Sequence, residues 1–310
     1  MNKKILIIGY GSAGRRFAKL VNKNFQKFEI FILTKQNNVN FNVIREIKEI
    51  SKINPDFIII CSPTKFHFEH LNFINKYFKR KNIFVEKPLF HTLKNLKKVK
   101  NKIFVGYNMR SLKIIKYLKS IIEKKRKTIR YIEFINHSYL PYWRKNIDYK
   151  RSSSAKRNLA GGVILDCSHE IDLATWLIGK TKLLSVEKSK KSNLKIQTED
   201  NCVVLAKQKN ITVKIDLNYA SLKKIRKITL NGEDYKFIVD LVTFRITHFK
   251  NKKKTIRKFR KNQVQESYFF ELKNFLYSNK RELVSYTSAL KTQKTINLIQ
   301  NFQNEKNKMV

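Results

Sequence analysis

Lys4-Ile5-Leu6-Ile7-Ile8-Gly9-Tyr10-Gly11-Ser12-Ala13-Gly14 decides how the first third of this chain folds. Ile5 to Ile8 is an unbroken apolar run without polar alternation, the pattern of a strand buried on both faces of a parallel sheet. The glycines that follow are spaced GxGxxG, and a helical stretch from Ser12 to Asn22 comes next. The first glycine permits a tight turn, the second lets a pyrophosphate approach the backbone, and the third lets helix and strand pack closely. The helix N-terminus then stabilises the negative charge. The chain has only eight glycines and three of them fall here, so the loop makes a specific demand. Gly9, Gly11, Ser12, Ala13 and Gly14 are therefore expected to cradle a nicotinamide dinucleotide.

Working outward, strands are expected at Glu29–Leu33, Asp56–Ile60, Ile83–Glu86 and Ile103–Tyr107, with helices at Lys65–Arg80 and Thr92–Val99. Strands alternating with helices imply a doubly wound α/β sheet over residues 1–108. The pattern changes afterwards. A helix at Leu112–Lys124 leads to a strand at Ile129–Ile135, and a helix spans Gly162–Ile178. Strands follow at Leu183–Glu187, Cys202–Gln208, Ile211–Asn218, Lys227–Asn231, Lys236–Asp240 and Val242–Phe249. No long helices interrupt them, which predicts an open, mainly antiparallel sheet. Helices near Glu266–Tyr277 and Tyr286–Phe302 close an α+β domain spanning 109–310.

The acid expected about 20 positions beyond the glycine motif, to hold a ribose 2′-hydroxyl, is missing. The second strand ends in Leu33-Thr34-Lys35-Gln36, and a hydroxyl followed by a cation suits a 2′-phosphate. The cofactor expectation is NADP or NAD, with NADP slightly favoured.

Composition narrows the class. At 310 residues and 42% hydrophobic, the chain can bury a sizeable core. No run reaches the roughly 18–20 apolar residues that cross a bilayer, so a cytoplasmic protein with no membrane partner is expected. Cys61, Cys167 and Cys202 lack ligand spacing; they read as buried hydrophobes, with no metal site and no disulfide framework. The net charge of +44 is spread along the chain with abundant Asn, Ile and Phe, all of which have A/T-rich codons. That distribution predicts no specific nucleic-acid partner, but a positive field that favours anionic ligands. The run Lys252–Lys258 reads as a solvated face or hairpin tip.

Two further stretches carry chemistry. Phe84-Val85-Glu86-Lys87-Pro88 lies where a parallel strand ends, the edge at which α/β sheets bind ligands. Lys87 there can bond a substrate hydroxyl, or act as an acid/base if its pKa is lowered. Gly161-Gly162-Val163-Ile164-Leu165-Asp166-Cys167-Ser168-His169-Glu170-Ile171-Asp172 is the other. At helical spacing Val163, Cys167, Ile171, Ala174 and Ile178 share an apolar stripe, while Asp166, His169, Asp172 and Trp176 turn elsewhere. An imidazole flanked by carboxylates has the parts of a proton-transfer site; it is also the make-up of an ordinary helix-surface or core histidine.

The order of these pieces resembles the glucose–fructose oxidoreductase/inositol dehydrogenase (Gfo/Idh/MocA) family. Cys61-Ser62-Pro63-Thr64 with His67 is similar to that family's cofactor-contacting loop and helix start, and Val105-Gly106-Tyr107-Asn108-Met109-Arg110 matches its domain junction. The resemblance implies hydride transfer at a sugar or cyclitol carbinol, with Lys87 and His169 as acid/base residues and Asp166 as carboxylate partner. Glu86 and Lys87 would join the cofactor-contacting set. One departure is that Asp166 and His169 are three positions apart, where many members have four.

The segment Tyr139-Leu140-Pro141-Tyr142-Trp143-Arg144…Asp148-Tyr149…Arg151-Ser152 looks like a subgroup found with surface-polysaccharide and nonulosonic-acid biosynthesis. Aromatic rings stack on sugar faces, and Arg144 and Arg151 can hold a carboxylate or phosphate. Tyr107, Arg110, Trp143, Arg144, Tyr149, Arg151, Asp166 and His169 are the expected substrate-binding residues. The sequence therefore reads as an NAD(P)-dependent oxidoreductase acting on a sugar or nucleotide-sugar; the competing reading is an inactive dinucleotide-binding regulator or scaffold. The family resemblance also implies a homodimer or homotetramer formed through the open sheet face.

Overall fold

A computed structural model describes residues 3–143, 148–277 and 280–303. In chain order the elements are β1 (Lys3–Ile8), α1 (Ser12–Asn24), β2 (Phe28–Leu33), β3 (Asn42–Ile44), α2 (Ile50–Ile53), β4 (Phe57–Ile60), α3 (His67–Tyr77), β5 (Asn82–Val85) and β6 (Lys102–Val105). They continue with α4 (Lys113–Lys125), β7 (Ile129–Tyr139), α5 (Val163–Asp166), α6 (Ser168–Ile178), β8 (Lys182–Ser189), β9 (Asn201–Gln208), β10 (Ile211–Asn218) and β11 (Ala220–Gly232). The last are β12 (Tyr235–Asp240), β13 (Arg245–Lys250), β14 (Lys253–Lys258), α7 (Gln263–Leu276), β15 (Val284–Ser285) and α8 (Tyr286–Asn301).

The chain divides into two compact units, Met1–Asn108 with Gln265–Gln293, and Met109–Val264 with Lys294–Val310. The first holds a seven-stranded sheet in the order β15-β6-β5-β4-β1-β2-β3, parallel except for β15 against β6. Strand order reverses between β1 and β4, creating a switch point at their carboxyl ends. Leu6 and Ile8 enter the core on one face of the sheet, and Ile5 and Ile7 the core on the other. That accounts for the absence of polar alternation in the opening run. Residues 265–293, read from sequence as part of the second domain, return to this unit. Phe275 of α7 is fully buried against Phe57 and Phe84, and Val284 pairs with Val105.

The expected helix at Thr92–Val99 does not form. Side chains satisfy this backbone instead: Leu96 N–H donates to the Tyr286 hydroxyl (3.1 Å), Asn75 Nδ2 donates to Lys98 O (2.5 Å), and Lys100 N–H donates to Asn75 Oδ1 (2.9 Å).

The second unit is an eight-stranded sheet, β14-β13-β12-β11-β7-β10-β9-β8, antiparallel except for β7 beside β10. One face is the core, with Ile132, Phe134, Val213, Ile215, Ile228 and Leu230 packed with α4–α6 residues. Within the basic run Lys252–Lys258, Lys253–Lys258 forms the edge strand β14, every residue exposed, in a hairpin with β13. The expected single helix at Gly162–Ile178 is two helices, because Cys167 (φ −92°, ψ 25°) breaks the chain between α5 and α6. Nor is α6 two-sided: Glu170 and Asp172 are as buried as Ile171, held by internal ion pairs. The three cysteines are buried, and none is in a disulfide.

Candidate active site

In the first unit the glycine loop runs from β1 into α1. Gly9 has φ +93°, and a Cβ on it would meet the Ser62 backbone at 2.7 Å. The turns after β1 and β4 thus touch across the switch point. A Cβ on Gly14 would lie 2.1 Å from Gly9 O, so only glycine lets α1 begin here. At Gly11 a Cβ would meet nothing within 4 Å. Space is left over the helix start, where no side chain caps α1 and no acid occupies its first turn. Unpaired N–H groups and the helix dipole fit a pyrophosphate at that place.

Beyond β2, Thr34 accepts from Gln36 N–H through Oγ1 (3.2 Å), and Lys35 is exposed. Two arginines that sequence reasoning missed shape this loop. Arg45 donates to Thr34 O (2.9 Å) and Gln36 O (2.7 Å), and Arg15 to Gln36 Oε1 (2.8 Å) and Tyr10 O (3.1 Å). The signal for Arg15 was its place directly after the third glycine; Arg45 follows β3, a strand too short to show a pattern.

Cys61, Ser62, Pro63 and Thr64 form the turn after β4, with Cys61 N–H donating to Ile8 O (2.8 Å). His67 does not face outward. Its imidazole is buried, with Nε2 2.8 Å from Ser62 O and Nδ1 3.0 Å from Pro88 O, so it ties the turn after β4 to the turn after β5. A neutral ring has one N–H and donates to one carbonyl at a time. Burial pushes its pKa down to about 4, outweighing the carbonyls that favour the charged form. Glu86 follows β5; burial raises its carboxyl pKa against the opposing charges of Arg16 and Lys87. Glu86 Oε2 accepts from Lys87 N–H (3.1 Å), which orients the chain at Lys87. Tyr107 is buried after β6, and Asn108 donates to Ser267 Oγ of α7 (2.8 Å). Arg16 lies over the Tyr268 ring at 4.1 Å. Ser267 and Tyr268 could not have been found near the strand ends from sequence, because nothing local brings residues 265–293 back.

In the second unit, Asp166 is the last residue of α5 and His169 the second of α6. The break at Cys167 lies between them. Gly162 (φ +114°) caps the start of α5, and a Cβ there would meet the Glu199 carboxylate at 2.3 Å. Glu199 Oε1 accepts from Ile164 N–H (3.3 Å), and burial, with Asp166's charge adding to it, raises the Glu199 pKa. Asp166 Oδ2 accepts from the Tyr219 hydroxyl (2.5 Å).

The other expected substrate residues meet different surroundings. Arg110 is engaged by Asp172 through two bonds and is nearly buried. Tyr149 packs against the core, and its hydroxyl accepts from Lys195 N–H (3.2 Å). Arg151 is exposed. Trp143 is 40% exposed, with its indole N–H donating to Ser138 Oγ (2.9 Å). Arg144 lies outside the described residues.

The chain matches the model of an oxidoreductase family with an NAD-binding Rossmann fold over residues 3–103, and that family's C-terminal α/β domain over residues 119–309. It belongs to the GFO/IDH/MocA oxidoreductase family. No curated protein matches this family member by sequence. Among solved structures it is similar to the WlbA dehydrogenase from Bordetella pertussis in complex with NADH and UDP-GlcNAcA. That likeness has TM-score 0.77 and 15% identity, covering 97% of this chain and 96% of the other. It is also similar to myo-inositol 2-dehydrogenase from Lactobacillus plantarum (TM-score 0.75, 17% identity, 97% and 96% covered). A third likeness is to UDP-N-acetylglucosamine 3-dehydrogenase GnnA from Acidithiobacillus ferrooxidans (TM-score 0.74, 14% identity, 97% of each chain covered). At these identities the three show the fold of the GFO/IDH/MocA chain. Among the described residues no helix is long and apolar enough to cross a membrane.

Proposed function

We propose that the chain is an NAD(P)-dependent dehydrogenase or reductase interconverting a sugar carbinol and its ketone. The observation that carries this is the placement of Asp166 and His169 on either side of the Cys167 break, in a family whose members are oxidoreductases. The bound dinucleotide would supply the hydride acceptor or donor. Gly9, Gly11, Ser12, Ala13 and Gly14 would hold its pyrophosphate, with the 61–64 turn and Glu86 lining the same edge. Lys35 beyond Thr34 favours NADP.

In oxidation the substrate hydroxyl proton passes to Lys87 or His169 while the carbinol hydrogen leaves with its electron pair; reduction reverses both transfers. Trp143 and Arg151 would recognise the sugar and its anionic substituent. A nucleotide-linked or acidic sugar of surface-polysaccharide or nonulosonic-acid biosynthesis fits the chain's positive field, the UDP-GlcNAcA of the WlbA complex and the substrate named for the dehydrogenase GnnA. Assembly as a homodimer or homotetramer through the half-buried sheet face that carries Tyr131, Glu133, His137, Lys214 and Asp216 belongs to the same reading.

The test is steady-state turnover of nicotinamide cofactor with a panel of nucleotide-linked sugars. Lys87→Ala and His169→Ala should each lower kcat by about 10²–10⁴-fold, the usual worth of a general acid/base. Near-normal turnover in either variant removes that residue from the mechanism, and no turnover by the wild type with any sugar removes the function.

A further inference from the structure

Tyr219 is the single residue between β10 and β11, and it is wholly buried. Its backbone is pinned in both directions: its N–H donates to Asp200 O (2.8 Å), and its carbonyl accepts from Leu140 N–H (2.9 Å). Asp200 is itself fixed by Lys191 N–H (2.9 Å), Ser192 N–H (3.0 Å) and the Ser192 hydroxyl (2.5 Å). From this anchored position the side chain reaches both Asp166 and Trp143. Its hydroxyl donates to Asp166 Oδ2 at 2.5 Å, and its ring meets the Trp143 indole edge-to-face, with centroids 5.1 Å apart and planes at 89°.

Each contact settles a degree of freedom that would otherwise be loose. The helix α5 is a single turn and cannot fix its own end. Glu199 holds its start, through Val163 N–H to Glu199 O (3.2 Å) and Ile164 N–H to Oε1 (3.3 Å), and Tyr219 holds its last residue. Trp143 lies shortly after the end of β7 at Tyr139. With its N–H engaged by Ser138 and its ring braced by Tyr219, it is a half-open aromatic surface held at two points. Burial, then the nearby charge of Asp166, pushes the Tyr219 pKa well above its ordinary value, so the hydroxyl keeps its proton and remains a donor.

We propose that Tyr219 is a positioning residue that holds the Asp166 carboxylate and the Trp143 indole in one fixed relation. Trp143 then stacks on the sugar ring while Asp166 orients the acid/base helix. This rests on the sugar-oxidoreductase reading above. It adds a residue at neither end of the chemistry, and it makes the three-residue Asp166-to-His169 spacing workable by supplying an outside anchor for Asp166.

The experiment compares Tyr219→Phe, Trp143→Ala and the wild type on a nucleotide-linked sugar, together with a thermal double-mutant cycle of Tyr219→Phe and Asp166→Ala. Tyr219→Phe keeps the ring and loses only the hydroxyl. It should lower kcat by about 10–100-fold, the scale of a small misplacement of a reacting group, with KM for the sugar within about twofold. Trp143→Ala should act chiefly on KM, raising it about tenfold. In the cycle, Tyr219→Phe should lower the melting temperature by about 2–6 °C in the wild-type background and by under about 1 °C once Asp166 is absent. Unchanged kcat in Tyr219→Phe, or an effect confined to KM, overturns the positioning role while the wild type still turns over sugar. Equal melting losses in both backgrounds overturn the pairing itself. If the wild type reduces or oxidises no sugar, the functional reading fails and takes this inference with it.

Discussion

Arg110 grips Asp172 with two parallel bonds, Nε to Oδ2 at 2.8 Å and Nη2 to Oδ1 at 2.6 Å, and the carboxylate is fully buried. The guanidinium also lies 5.3 Å from the Trp176 ring centroid. Removing one partner of such a pair leaves a buried charge uncompensated. Arg110→Ala should therefore cost about 3–5 kcal/mol in urea denaturation, and an Arg110→Met/Asp172→Leu double variant should recover most of it. A raised sugar KM in folded Arg110→Met/Asp172→Leu protein would return Arg110 to the substrate-binding set.

Gly11 and Gly14 separate binding from folding. A Cβ at Gly11 enters open space, so Gly11→Val should leave the melting temperature almost unchanged while weakening nicotinamide cofactor binding at least about tenfold by calorimetry. Gly14→Ala places a methyl 2.1 Å from Gly9 O and should lower the melting temperature sharply. Equal effects at the two positions would mean that Gly11 only shapes the turn.

His67 gives the first unit a defined acid sensitivity. Its imidazole ordinarily titrates at 6.5 and in the fold at about 4, because burial disfavours the imidazolium. The folded state binds fewer protons than the unfolded one, so this contribution is complete above pH 6.5 and is lost as pH falls through about 4. The gap is worth on the order of 3 kcal/mol. Thermal melts of wild type and His67→Gln between pH 7 and about pH 4 should show a steeper decline for the wild type. Parallel curves would remove His67 as the cause.

Lys35 is the residue on which cofactor choice should turn. Lys35→Glu should shift the ratio of NADP to NAD affinity by about tenfold or more toward NAD, or roughly 1.4 kcal/mol. Nicotinamide fluorescence titrations with both cofactors measure it, and an unchanged ratio would leave Lys35 as one of many surface lysines.

How much of this was legible depended on how far apart the deciding residues are in the chain. Ile5 to Gly14 state their fold locally, since strand, turn and helix start are contiguous, and the buried strands that follow repeat the same pattern. Thr92–Val99 misled because its helical periodicity was outweighed by Asn75 and Tyr286, side chains far away in sequence that claim its backbone. The β14 edge carries no apolar alternation at all, since an edge strand on this sheet is guarded by charge. At the site, Asp166 and His169 could be singled out from their own motif. The Cys167 break and the Tyr219 hydroxyl could not: no local pattern marks the break, and Tyr219 reaches Asp166 from a strand junction more than fifty residues downstream.

The return of residues 265–293 to the first unit sets an order of events during synthesis. The rings of Phe57, Phe84 and Phe104 on β4, β5 and β6 lack their Phe275 partner until α7 has left the ribosome, after the whole second unit up to Val264 has been made. A nascent chain stopped at Asn108 would carry a complete glycine loop on a half-clothed sheet.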